Sequence, residues 1–127
     1  MVRALGSLAL ILAFATAAAW GAEAPFDAAT FQKLLSEGKP VAVDFHADWC
    51  PTCRAQEPLL RSITAESEFH ALTLLVANFD TETALRKSLN VSQQGTLVVF
   101  RHGKEVARST GDTTEAGLTK LLRTAQQ

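Results

Sequence analysis

Apolar residues along the chain recur with two periods, and these periods predict helices that alternate with strands. Nearly continuous apolar runs predict strands at 41–45, 71–79 and 96–100, and a hairpin turn at 102–104 adds a strand at 105–110. Apolar residues at helical spacing predict helices at 27–38, 54–64, 81–89 and from 112 onward. The order favours an α/β domain with parallel pairing, helices on both faces and a terminal antiparallel hairpin.

The ends of the first and last predicted helices carry capping patterns. Asp27 is predicted to cap the first helix, with Phe26 and Phe31 at the two positions of a hydrophobic staple. Asp112 and Glu115 match a capping box for the last helix. Both patterns support the predicted element order.

The N-terminal 21 residues have the pattern of a secretory signal peptide, and residues 22–127 are predicted to form the folded domain. Arg3 is followed by an uncharged apolar stretch and then by the segment 17–22, in which every residue except Trp20 is small. The same stretch is just long enough to span a bilayer, so an uncleaved anchor is the alternative. We therefore expect a periplasmic or secreted protein, in a compartment where disulfides persist.

Length and charge narrow the functional classes. The chain has 127 residues, enough for one core, and a formal net charge of −1. It lacks the basic surface that a nucleic-acid or anionic-lipid partner would require. We expect a monomer that binds no nucleic acid.

The two cysteines, Cys50 and Cys53, can form a structural disulfide, bind a metal ion or act in catalysis. A disulfide across two residues restrains little chain and adds little stability. A closed zinc site needs four ligands, and only three histidines accompany the cysteines. At a helix N-terminus, unpaired N–H groups and the helix dipole stabilise a Cys50 thiolate, the nucleophilic form. Cys53, one turn later and more buried, would stay a thiol until it resolves a mixed disulfide.

The sequence around the cysteines resembles the thioredoxin family from about Val41 to the end of the chain. The matching residues are Val43-Asp44-Phe45, Ala47-Asp48-Trp49-Cys50, Cys53, Pro58, Asn78, Asp80, 96–100, Gly103 and Gly111. The resemblance implies a thioredoxin-like α/β fold, with a central mixed sheet of about four strands and helices on both faces. It also implies a thiol–disulfide oxidoreductase that needs no cofactor. In such an enzyme Cys50 would be the nucleophile, Cys53 the resolving thiol and Asp44 the buried proton acceptor or donor for Cys53. Alternatively, Asp44 is merely a polar residue near a strand end.

Two further features concern redox tuning and substrate binding. Pro51-Thr52 differs from the Gly-Pro pair of typical cytosolic thioredoxins, and Cys-Pro-Thr-Cys is similar to the exported reductases of cytochrome c maturation. The Thr52 hydroxyl either donates to the Cys50 thiolate or faces solvent. The resemblance places substrate docking at Trp49 and at the segment Gln94, Gly95 and Thr96.

Three departures from the family pattern lead to further expectations. Gly95 stands where the family has a cis-proline, so we predict a trans Gln94–Gly95 bond. Val76 stands where a lysine often pairs with the buried acid, so desolvation should raise the pKa of Asp44 further. The family's first strand is expected to be missing, because the first helix follows the signal peptide closely.

These observations predict an exported enzyme that reduces protein disulfides by exchange at Cys50 and Cys53. Its partners would be proteins with disulfides or thiols and a membrane protein that donates electrons. Two alternatives remain open: a thiol oxidase for exported proteins, and a protein that binds copper(I) through the same thiolates.

Overall fold

A computed structural model of the chain describes residues 22–127; the predicted signal peptide lies outside the described residues. The strands are β1 (Ala22–Pro25), β2 (Val41–His46), β3 (Thr73–Asn78), β4 (Thr96–Arg101) and β5 (Lys104–Thr110). The helices are α1 (Ala28–Ser36), α2 (Pro51–Thr64), α3 (Thr83–Leu89) and α4 (Glu115–Arg123), with short 3-10 turns at Ser67–Phe69 and Thr124–Gln126.

The strands form one mixed sheet in the order β1-β3-β2-β4-β5. β1, β3 and β2 run parallel, whereas β4 is antiparallel to both β2 and β5. The predicted α/β class, parallel pairing and terminal hairpin are therefore confirmed. Since β2 ends beside the start of β4, the loops that follow β2 and precede β4 meet at one edge of the sheet.

The expectation that the family's first strand is missing was wrong. Ala22–Pro25 pairs in parallel with β3 and completes a five-stranded sheet, one strand more than the estimate of about four. The strand has only four residues and ends in a proline, which is tolerated because the strand lies at the sheet edge. Its short length gives too weak a periodicity for detection beside the predicted signal peptide.

The core consists of two layers of buried side chains, which the alternation of β2 separates. Val41, Val43 and Phe45 belong to one layer, together with α1 and α3 residues such as Phe31 and Leu85. Ala42 belongs to the other layer, which includes the predicted α4 core residues Leu118, Leu121 and Leu122. Because both faces of β2 are covered, its residues 41–45 form a continuous apolar run with one exception, Asp44.

Helix capping was predicted correctly at α1 and incorrectly at α4. Asp27 Oδ2 accepts a hydrogen bond from the Thr30 N–H at 2.8 Å, and the Phe26 and Phe31 rings lie 5.6 Å apart. At α4 the N-cap is Thr114, whose hydroxyl accepts from the Gly117 N–H. Asp112 instead accepts from the Thr114 N–H and hydroxyl, so it orders the capping residue rather than the helix itself.

Within residues 22–127, the helices are too short or too polar for any of them to cross a membrane.

Candidate active site

Both cysteines lie where the chain leaves β2 and enters α2. Cys50 is the N-cap residue of α2, in extended backbone geometry, and Pro51 occupies the first helical position, where a missing N–H has no consequence. Cys53 lies one turn into the helix. The arrangement follows the local sequence: a buried strand, a short turn, and a proline that begins the helix.

A hydrogen bond joins the two cysteines. The Cys53 backbone N–H donates to Cys50 Sγ at 3.1 Å, so the Cys50 sulfur takes the place of a capping oxygen. Within the described chain, Cys50 Sγ receives this bond and none from the Thr52 hydroxyl. A negative charge on this sulfur would face the N–H groups and positive dipole end of α2.

The expected difference in burial between the cysteines is not observed, since each is 1% exposed. Cys50 is as covered as Cys53 because its side chain turns back over the helix N-terminus to cap it. The two thiols still differ chemically. Burial raises the pKa of Cys53, and its hydrogen bond with Cys50 and the charge of Asp44 raise it further. Cys53 is therefore held as a thiol.

Asp44 is a buried carboxyl in the centre of the sheet. It is 4% exposed, and its Oδ1 makes no hydrogen bond within the described residues. Burial raises the pKa of Asp44 to about 6, while the nearby His46 acts in the opposite direction. The predicted direction of the shift is confirmed, and Val76 lines the same region without offering a charge. The raised pKa suits a group that exchanges protons near neutral pH.

Trp49 is the exposed aromatic residue beside the cysteines. It is 57% exposed, and its Nε1–H donates to Asp80 Oδ2 at 2.7 Å. Asp80 follows β3, so the bond fixes the indole ring against the neighbouring loop. The ring is thus held in place and available to a docking protein.

Gly95 lies next to the cysteines in a conformation that proline does not adopt. No described peptide bond is cis, which confirms the trans Gln94–Gly95 bond. The φ of Gly95 is +73°, whereas a proline ring fixes φ near about −65°. A Cβ here would lie 3.3 Å from Thr52 Cγ2 and 3.4 Å from Gln56 Oε1. The Gly95 N–H, which proline lacks, donates to the Phe45 carbonyl at 2.8 Å.

Gln56 is a site residue that the sequence did not reveal. It is 1% exposed, and its Nε2 donates to the carbonyls of Gly95 at 3.1 Å and Asp112 at 2.9 Å. The side chain thereby ties the loop before β4 to the loop before α4. Glutamine among the polar residues of α2 looks like a surface position, so its sequence context gave no indication of this role.

The other residues predicted to bind substrate differ in accessibility. Gln94 is half-buried, whereas Thr96 is 3% exposed. The Thr96 hydroxyl donates to the Gln93 carbonyl and lies 2.8 Å from the Thr110 hydroxyl. The Thr96 side chain therefore serves the fold, whereas Gln94 in the loop before β4 and Trp49 after β2 are open to a partner.

Across residues 22–127, no group of three or more His, Cys, Asp or Glu side chains is placed to hold a metal ion. His46 lies near the cysteines in sequence, but its ring contacts Asp48.

Comparisons with known proteins agree on one family. The family model described as thioredoxin matches residues 23–124. The chain is 37% identical over 82 residues to the thioredoxin of Chlamydia muridarum, covering 65% of this chain and 78% of that protein. It is 34% identical over 96 residues to the bifunctional thioredoxin reductase/thioredoxin of Mycobacterium leprae, covering 76% of this chain but only 21% of that protein. Trxlp from Edwardsiella tarda is structurally similar, with a TM-score of 0.77, 40% identity, and coverage of 80% of this chain and 98% of that one.

Proposed function

Because the chain belongs to the thioredoxin family and is a protein-disulfide oxidoreductase, we propose that it is exported and reduces protein disulfides outside the cytoplasm. The observation that carries the exchange chemistry is the bond from the Cys53 N–H to Cys50 Sγ at the start of α2. Cys50 attacks a substrate disulfide as the thiolate, and a mixed disulfide forms. Cys53 then attacks Cys50 Sγ, which releases the reduced substrate and leaves a Cys50–Cys53 disulfide.

We propose that Asp44 accepts the proton that Cys53 must lose in the second step. Cys53 is held as a thiol, and an attack by sulfur requires the thiolate. Asp44, buried and with a pKa of about 6, is ionised in much of the population near neutral pH and can accept this proton. This role would account for a buried carboxyl group that otherwise only destabilises the sheet.

The direction of electron flow is proposed from the balance of charge around Cys53. Strong oxidants of this chemistry owe their potential to a stabilised reduced form. Here burial and the charge of Asp44 both disfavour an ionised Cys53, and neither acts on a disulfide. The reduced form therefore gains no stabilisation from a second thiolate at Cys53, which favours giving electrons to substrates.

Each turnover uses both electrons of the dithiol, so a second protein must restore them. The Mycobacterium leprae relative joins a thioredoxin reductase and a thioredoxin in its name. For an exported protein the donor must move electrons across a membrane, and we propose a membrane protein in this role. Docking would use Trp49 and Gln94, the exposed and half-exposed groups beside the cysteines.

The reduction potential of the Cys50–Cys53 couple tests the direction. We expect a value near that of thioredoxin, about −270 mV, when the protein is equilibrated against a thiol buffer of known potential. A value near about −120 mV would mean that the protein is an oxidant and that electrons flow into it from substrates.

Export is tested with the full chain produced in a bacterium and followed by fractionation and N-terminal sequencing. We expect a periplasmic protein that begins at or near Ala22, because the small residues 17–19 and Gly21 match a signal-peptide cleavage site. As a control, Arg3→Glu should delay processing. Retention at full mass in the cytoplasm would overturn export, and full mass in the membrane would indicate the uncleaved anchor.

A further inference from the structure

A cavity of about 220 Å³ lies beside Asp44, between the sheet and α2. Its lining comes from β1, β2, the following loop, α2 and β3: Glu23, Asp44, His46, Asp48, Glu57, Leu60, Leu74 and Val76. The cavity has room for several waters and enough polar groups to bind them. Water can therefore enter this cavity and reach the Asp44 carboxyl, which is otherwise buried.

Asp44 and His46 face this cavity together because they are two residues apart on β2 and so lie on one face of the strand. The Asp44 Oδ1 has no protein partner among the described residues and is available to a water. The His46 side chain is 14% exposed, and its Nε2 lies 3.0 Å from Oδ1 of Asp48, a fully exposed carboxylate. The pair thus spans the distance from the cavity to solvent.

We propose that His46, oriented by Asp48, carries the proton between the buried Asp44 carboxyl and bulk water during each catalytic cycle. The inference rests on Asp44 acting as the proton acceptor of Cys53, as proposed above. Among the described residues that line the cavity, His46 is the one that can carry a positive charge. An imidazole both accepts and donates protons, which makes it suited to this transfer.

The proton balance requires such an exit. In the resolving step the Cys53 proton passes to the Asp44 carboxylate, the Cys50–Cys53 bond forms and the bond from Cys50 to the substrate sulfur breaks. The substrate leaves as a thiolate and takes a proton from solvent. As the Cys50–Cys53 bond forms, Asp44 passes a proton on through cavity water to Nδ1 of His46, whose Nε2–H donates to Asp48, and the ring releases a proton to solvent. The oxidised protein is left with its Asp44 carboxylate restored.

The charges around the cavity support this route. Glu23 from β1 and Glu57 from α2 also face Asp44, and both raise its pKa. His46 acts in the opposite sense, so a proton arriving on the ring makes Asp44 a stronger acid. The position that carries a lysine in many thioredoxins is apolar Val76, which leaves the histidine as the cationic partner of this site.

The test separates the two chemical steps with an aromatic disulfide whose halves absorb light once released. In stopped flow with the full-length reduced protein, attack by Cys50 releases the first half and attack by Cys53 the second. For His46→Gln we expect the rate of the first release to be unchanged and the rate of the second to fall about tenfold. This effect is smaller than the roughly 10²-fold loss expected when a direct general base is removed. Imidazole added to the buffer should restore the second rate by replacing the missing ring.

Two further variants make the result decisive. His102→Gln, in the exposed β4–β5 turn, should leave both releases unchanged. Asp44→Asn should slow the second release, and an unchanged rate there would show that the assigned role of Asp44 is wrong. If Asp44→Asn is slow but His46→Gln is not, or if imidazole restores nothing, the proton leaves by another route and the role of His46 is overturned. Equal slowing of both releases in His46→Gln would likewise assign it a structural role only.

Discussion

Cys50→Ser is expected to abolish disulfide reduction, leaving less than about 1% of the wild-type rate, because a serine hydroxyl provides no thiolate. Cys53→Ser is expected to behave differently. It keeps the attacking sulfur and the N–H that donates to it, so it attacks a substrate disulfide once and remains bound as a mixed disulfide. Insulin reduction measures the first effect, and non-reducing electrophoresis measures the second.

The double variant Cys50→Ser, Cys53→Ser is the control for this trap and should form no mixed disulfide. If Cys50→Ser trapped substrate and Cys53→Ser did not, the roles of the two cysteines would be reversed. That outcome would also contradict the burial and charge that hold Cys53 as a thiol.

We expect that the wild-type protein loses stability as the pH rises through the pKa of Asp44 and that Asp44→Asn does not. The same variant should slow the resolving step of catalysis. The folded-state pKa of Asp44 is about 6, above the ordinary value of 3.8, so the folded protein holds a proton that the unfolded chain has already lost. Its contribution to stability is therefore complete below about pH 4, declines as the pH rises towards 6 and is constant above that. The difference of about two pKa units corresponds to about 3 kcal/mol.

Urea unfolding of the reduced wild type and the variant at several pH values measures this effect. The free energy of unfolding of Asp44→Asn minus that of wild type should increase by up to about 3 kcal/mol between about pH 4 and 7. Asp27→Asn provides a control of opposite sign, because hydrogen bonds from Thr30 lower the pKa of Asp27. A difference for Asp44→Asn that does not change with pH would show that the carboxyl is not desolvated.

Much of the fold was predictable because its elements depend on strong local patterns. β2 and β4 are buried on both faces and therefore appear as apolar runs, and Asp27 caps α1 through contacts with its own first turn. β1 was missed for the opposite reason, since its pairing with β3 is formed across the chain and leaves little trace in four residues. The α4 cap was assigned two residues too early because Asp112 and Thr114 both match capping chemistry.

The site was predictable where chemistry demands an unusual residue. A carboxyl inside an apolar strand and two cysteines one helical turn apart stand out in any sequence, and Asp44, Cys50 and Cys53 were found in this way. Gln56 was missed because a glutamine in a helix is ordinary until its amide is seen to bind two distant carbonyls. The equal burial of the cysteines also depends on side-chain direction, which spacing does not determine.

The parallel register of β1 determines how the domain would be oriented on a membrane. Ala22 lies level with Thr73, and so does Val41 at the start of β2, whereas Cys50 follows the far end of β2. Six strand residues at about 3.3 Å each separate these ends by roughly 20 Å. An uncleaved anchor would thus hold the domain by its base, with Trp49 and the cysteines on the side away from the lipid.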